Sequence, residues 1–203
     1  LVCLVGSEMC IRDREYKNEK TIDNQTLQVP IIDIDTIASG GGSILDYRNS
    51  RMTVGPKSAG SYPGPMSYGK NGPLTLTDAN LFLGKIVEKY FPQKFGYDGK
   101  SSLNKRIVSK EFNQLRDNID PKMLPEDVAE GFVKIAVEKM CRVIRKIASG
   151  KGLHLDEHAL VSYGGAGGQH ACQIAENLEI KTIIINPFSS FLSAYGMAQS
   201  GDC

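Results

Sequence analysis

Residues 159–171 read ALVSYGGAGGQHA. The apolar run Leu160-Val161-Ser162-Tyr163 suits a strand, and it ends in Gly164-Gly165-Ala166-Gly167-Gly168. Ala171, Ile174, Ala175 and Leu178 then recur at three- and four-residue spacing, the mark of a single helix face. Thr182-Ile183-Ile184-Ile185 follows as a second, β-branched strand. Strand, glycine turn, helix and strand in this order form the pattern of a βαβ unit with parallel strands. An α/β fold is therefore predicted, a mixed sheet flanked by helices.

The glycines admit two readings. Lacking Cβ, they let the backbone adopt positive φ and lie close against a flat or charged ligand. The turn also delivers the chain to a helix start, where unpaired N–H groups favour anions. The spacing is neither G-x-G-x-x-G nor the phosphate loop ending in Gly-Lys-Ser/Thr. The alternative is a tight turn whose small residues serve packing alone. Five small residues in succession exceed what such a turn requires. If Gly165 needs positive φ, valine there costs on the order of 1–3 kcal/mol. His170 opens the helix, either facing the same ligand or acting as a capping or core histidine.

Bulk properties narrow the function class. The 203 residues allow one large or two small domains, and 41% hydrophobic content suffices for a core. A net charge of +1 gives no reason to expect nucleic acid or an acidic membrane as partner. No apolar run approaches the roughly 20 residues that span a bilayer. Five scattered cysteines without a C-x-x-C argue against a disulfide framework and for a reducing cytosol. Cys141 and Cys172 fall in amphipathic patterns and read as small buried hydrophobes.

Along the chain, residues 1–14 (LVCLVGSEMCIRDR) match nothing downstream and read as a non-native leader. Residues 15–28 read as a polar linker, and residues 29–203 as the domain itself. Residues 29–37 (VPIIDIDTI) suit a strand with Asp33 and Asp35 on one face, beside the second glycine loop Gly40-Gly41-Gly42. Two carboxylates there would hold a divalent cation that also meets phosphate oxygens, or else form a solvated face. Residues 44–47 and 51–54 suit a hairpin. Residues 55–73, dense in Gly, Pro and Ser, exclude helix and regular strand and predict an ordered loop over a site. Thr77 or Asp78 is predicted to cap a helix through residues 79–83. A helix is predicted over 103–118, and the clearest helix over 125–149. The latter has an apolar stripe of Val128, Ala129, Phe132, Ile135, Ala136, Met140, Val143, Ile144 and Ile147. Residues 187–196 lead into a last helix.

Several segments together resemble a known family. Residues 30–43 (PIIDIDTIASGGGS) are similar to the P-x-x-D-I-x-T-V-A-A-G-G-G-S segment of the hydantoinase A / 5-oxoprolinase family. Residues 54–65 (VGPKSAGSYPGP) resemble its V-G-P-E-S-A-G-A-x-P-G-P segment, and residues 75–83 its T-V-T-D-A-N-L-x-L-G. Residues 163–171 resemble its F-G-G-A-G-G-Q-H-A. The GQHA ending and residues 90–96 resemble the oxoprolinase branch more than the bacterial hydantoinase subunits.

The resemblance implies an ATP-dependent cyclic amidase that opens 5-oxo-L-proline to L-glutamate in glutathione turnover, with Mg²⁺ and K⁺ as helpers. It implies part of an actin/Hsp70-like ATPase fold, in which a strand-to-helix glycine turn lies against adenosine. Gly164, Gly165, Ala166, Gly167 and Gly168 match that turn. Gly40, Gly41 and Gly42 are further candidates for cofactor contact, and Asp33, Asp78 and His170 for metal. The remainder of a longer polypeptide, carrying the phosphate loops and a B region, is the expected partner, with a homodimer at full length. The 203 residues alone are expected to be inactive. A hydantoinase or acetone-carboxylase-like subunit and a non-catalytic nucleotide-binding module are the alternatives. Among the departures, Lys57 replaces the family's Glu and Glu179 stands where the family usually has Gly.

Overall fold

The computed structural model describes residues 2–5, 16–22, 25–29, 31–32, 37 and 39–199. The strands are β1 (Val2–Val5), β2 (Tyr16–Lys17), β3 (Lys20–Ile22), β4 (Gln25–Leu27), β5 (Ile31–Ile32), β6 (Ser43–Arg48), β7 (Arg51–Ser58), β8 (Ala159–Ser162) and β9 (Thr182–Ile185). The α-helices are α1 (Leu76–Phe82), α2 (Lys105–Ile119), α3 (Pro125–Lys151), α4 (Ala171–Asn177) and α5 (Leu192–Gln199). The fold is mixed α/β, in two compact units: Leu1–Thr36 with Val143–Cys203, and Ile37–Arg142. The boundary falls within α3.

The first unit contains the predicted βαβ arrangement. β8 and β9 pair in parallel, Leu160 opposite Ile183 and Ser162 opposite Ile185, with α4 between them in the chain. Leu160 and Ser162 on β8 are buried, as are Ala171, Ile174 and Ala175 on α4, so one strand face and one helix face supply the apolar interior. β1 pairs antiparallel with β8, giving the order β1-β8-β9 and leaving β9 at the edge among the described residues. Residues 2–5, assigned by sequence to the leader, thus extend this sheet. The polar stretch read as a linker contributes β2, paired with β5, and the β3–β4 ladder.

The end of α4 is set by its backbone. Ile180 N–H donates to Ala175 O at 2.9 Å and Glu179 N–H to Glu176 O at 3.3 Å, the two bonds of a Schellman stop. That stop needs a left-handed residue, and Glu179 supplies it at φ +58. Glycine normally fills this place because a Cβ is unfavourable there.

In the second unit β6 and β7 form the predicted hairpin. It turns through Asn49 and Ser50 at φ +51 and +57, a two-residue turn that matches the strand twist. β7 continues through Gly55-Pro56-Lys57 to Ser58, so the start of the segment predicted to lack regular strand is strand. α2 is capped by Asn104, whose side chain accepts from Ile107 N–H at 3.2 Å. Phe112 on α2 stacks on Phe82 at the end of α1, with ring centroids 4.9 Å apart. α3 carries two acidic residues, Glu126 and Asp127, in its first turn, where they suit the positive end of the helix. Gly131 on α3 faces Met52, and Lys139 Nζ donates to Val54 O, which ties this helix to β7.

The buried face of α3 is turned from the predicted stripe. Val133, Val137, Cys141 and Ala148 are buried, whereas Ile135 and Met140 are half-buried and Ile147 is exposed. Periodicity identifies a helix face to within about one residue either side, and the surface it packs against chooses among them. Cys141 is the expected buried thiol. Cys172 is exposed, contrary to expectation, because it lies on the outer side of α4.

Candidate functional site

β8 ends at Ser162, and the chain then bends through the glycine loop before a 3-10 turn at Gly167–Gln169 and α4. Gly164 has φ +88, so a residue with a Cβ would be strained there. Gly165 does not have positive φ, which moves the expected conformational requirement to its neighbour. Gly165, Ala166 and Gly168 are exposed, and a Cβ added at Gly165 or Gly168 would meet nothing within 4 Å. Packing therefore does not demand small residues at these two positions. The loop presents bare backbone to open space, as a surface for ligand contact would.

A second loop shares this end of the sheet. Asn186 follows β9, its carbonyl accepts Ser189 N–H at 2.8 Å, and its Oδ1 accepts Phe188 N–H at 2.8 Å. Gly164 N–H donates to Ser189 O at 2.9 Å, joining the two loops. Both leave the carboxyl ends of parallel strands, the place where open α/β sheets bind ligands. The 186–191 loop is the part of the site that sequence reasoning missed. Asn-Pro after a β-branched run signals only a turn.

His170 is buried at the start of α4, and its carbonyl accepts Ile174 N–H at 2.9 Å. That burial fits the capping or core histidine of the two readings. α4 spans seven residues, too short to make much of its N-terminal dipole. Elsewhere in this unit a cleft of about 310 Å³ is lined by Arg145, Ser149, His154, Asp156 and Glu179, and includes none of the glycine-loop residues.

The other candidates lie in the second unit. Gly40 O accepts Ser43 N–H, Gly42 O accepts Ala59 N–H, and Gly41 O accepts both Thr77 N–H and Thr77 Oγ1. A Cβ at Gly41 would lie 2.6 Å from Thr77 Oγ1, and at Gly42 2.8 Å from Ser58 Oγ. Close packing against α1 and β7 accounts for Gly41 and Gly42 without a ligand, whereas Gly40 faces open space.

Asp78 is fully buried, and both its oxygens are engaged. Oδ2 accepts Met66 N–H (3.0 Å), Thr75 N–H (2.8 Å) and Thr75 Oγ1 (2.8 Å), and Oδ1 accepts Ser67 N–H (2.8 Å). Thr75 is the helix cap in place of the predicted Thr77 or Asp78, and Asp78 is the third helical residue of a reciprocal capping box. The carboxylate thus fastens the Gly/Pro/Ser loop to α1. Burial, and then the negative charge of Asp78, hold the Tyr68 phenol above its ordinary pKa. Asp33 lies outside the described residues. Among the described residues no group of three or more His, Cys, Asp or Glu side chains could hold a metal ion. With its four donors in place, Asp78 does not fit a metal ligand.

Residues 9–201 match the family model described as Hydantoinase/oxoprolinase. The chain is 47% identical to the 5-oxoprolinase of Saccharomyces cerevisiae over 175 residues, 84% of this chain and 14% of the yeast protein. Its structure is similar to an ATP-dependent caprolactamase from Pseudomonas jessenii (TM-score 0.75, 31% identity, 89% of this chain and 26% of that one). It is also similar to a nucleotide-free acetone carboxylase (TM-score 0.77, 25% identity, 92% and 26%). The chain therefore spans about a seventh of the length of the yeast relative. No described helix is long and apolar enough to cross a membrane. With nearly the whole sequence inside the family match, this chain belongs to the hydantoinase/oxoprolinase family.

Proposed function

We propose that this chain is a segment of an ATP-dependent cyclic amidase that opens 5-oxo-L-proline to L-glutamate, and that its glycine loop contacts the adenosine part of the nucleotide. The observation that carries the reading is the open backbone at Gly165, Ala166 and Gly168, held at the carboxyl ends of β8 and β9. Identity to a 5-oxoprolinase supports the choice of substrate. A lactam is a stable amide, so ring opening needs a driving step. ATP would phosphorylate the lactam oxygen, one water would add to the activated carbon so that the C–N bond breaks and leaves an acyl phosphate, and a second water would release phosphate from it to give the carboxylate. The loop's part is to hold and orient the nucleotide by backbone N–H groups and close approach.

In this reading the fold is part of an actin/Hsp70-like ATPase, working in the cytosol with Mg²⁺ and K⁺ gripped by segments beyond this chain. The full enzyme acts as a homodimer, and these 203 residues do not turn over 5-oxoproline alone. The likeness to caprolactamase and acetone carboxylase favours a second reading: the same nucleotide chemistry applied to another carbonyl compound.

Calorimetry with ADP tests the nucleotide claim. The chain is expected to bind ADP, and Gly165→Val to abolish binding at unchanged Tm, since its side chain projects into open space. Absence of binding, or equal binding by Gly165→Val, overturns the reading. Release of glutamate by the isolated chain with ATP and 5-oxoproline would overturn the expected inactivity.

A further inference from the structure

Phe188 follows β9 on the loop that Ser189 O ties to Gly164 N–H. Its backbone is pre-set: Asn186 Oδ1 accepts Phe188 N–H, and Phe188 O accepts Phe191 N–H at 2.8 Å. A loop fixed this way can hold an aromatic ring in the open at little further ordering cost. Phe188 is 56% exposed, and its ring stacks on Tyr195 of α5 with centroids 5.7 Å apart and planes 19° from parallel. Tyr195 is itself 46% exposed. Two near-parallel rings, part of whose surface remains in water, form an apolar platform beside the bare glycine loop. A purine nucleotide combines the flat face such a platform accepts with a sugar-phosphate tail suited to backbone N–H groups.

We propose that Phe188, backed by Tyr195, stacks on the purine ring of the nucleotide whose adenosine portion lies against the 164–168 loop. This rests on the nucleotide reading above and adds to it the residue that recognises the base. Base–aromatic stacking is sequence-tolerant and substantial, and losing it weakens binding roughly ten-fold or more. The site would accept purine nucleosides and discriminate against phosphate compounds without a base.

The chain has no tryptophan, so Phe188→Trp introduces a single fluorescent reporter at the proposed contact. ADP is expected to quench its emission saturably, and inorganic diphosphate to leave it unchanged. Phe188→Ala is expected to weaken ADP binding about ten-fold in calorimetry, with unchanged far-UV circular dichroism and Tm. Two outcomes separate the claims. If ADP binds the unsubstituted chain, yet leaves the emission of the Phe188→Trp variant unchanged and binds Phe188→Ala equally well, stacking is overturned and the nucleotide reading stands. If ADP does not bind the unsubstituted chain, both are overturned. Emission that changes only with protein concentration would show the platform to be a self-association surface, and would also overturn the proposal.

Discussion

Replacing Asp78 with asparagine tests the role the geometry gives this carboxylate. Four donors converge on it, three on Oδ2 and one on Oδ1. Asparagine has one acceptor oxygen and one amide nitrogen of nearly the same shape. With the oxygen in the Oδ2 position, the NH₂ group faces Ser67 N–H, donor against donor. In the other orientation three donors lose their acceptor. The milder case removes one hydrogen bond to a charged group, worth about 1.5–3 kcal/mol, and leaves a buried N–H unpaired. A loss of about 2–4 kcal/mol is expected. Alanine would strand three backbone N–H groups at about 1–3 kcal/mol each, comparable with the whole stability of a domain. Asparagine is therefore the variant to use. Urea unfolding followed by circular dichroism gives the stability change, and amide exchange of Met66, Ser67 and Thr75 gives its location. The expected result is a lower midpoint with faster exchange at these amides, and no effect of added Mg²⁺ on the unsubstituted chain. An unchanged midpoint with full protection at Met66 and Ser67 would refute this role, and a Mg²⁺-dependent midpoint lost in the variant would restore Asp78 as a metal ligand.

Three further outcomes are expected. Glu179→Gly should stabilise the chain by about 1 kcal/mol, because glycine relieves the left-handed strain at the end of α4; urea unfolding that finds the variant weaker would show that Glu179 makes compensating contacts. The raised pKa of Tyr68 means that folding favours the neutral phenol, so its contribution is present below about pH 10 and is lost as pH climbs through the folded value. Tm measured from about pH 9 to 11.5 should then fall less steeply for Tyr68→Phe, and parallel curves would contradict this. Ile184 and Ile185 are exposed on β9, the sheet edge among the described residues, so the isolated chain should self-associate and Ile184→Lys should reduce it; elution of the unsubstituted chain as a concentration-independent monomer would contradict this.

The elements readable from sequence are those written in local pattern. The βαβ order, the long helix from Pro125 and the hairpin through Asn49 and Ser50 each follow from periodicity or turn chemistry within a few residues. What depends on distant partners is not legible. Nothing local tells that Asp78 reaches back to Met66 and Ser67, so its carboxylate looks available for metal until those bonds are seen. Gly41 and Gly164 look alike as letters. One is small because Thr77 crowds it and the other because its φ is positive, and only the fold separates these causes. The loop at 186–189 enters the site through the bond from Gly164 to Ser189, which spans 25 positions of the chain and leaves no periodic trace. Cys172 and the outer residues of α3 are misread for a related reason. Amphipathic spacing gives a face, and the packing partner decides its edges.

The loop after β8 is the proposed nucleotide contact, and backbone amide shifts on addition of ADP test it most directly. The amides of Gly165, Ala166 and Gly168 are expected to move together and saturably, while those of Gly41 and Gly42, locked against α1 and β7, stay in place. Shifts confined to residues 40–42, or none in 164–168 at saturating ADP, would contradict it.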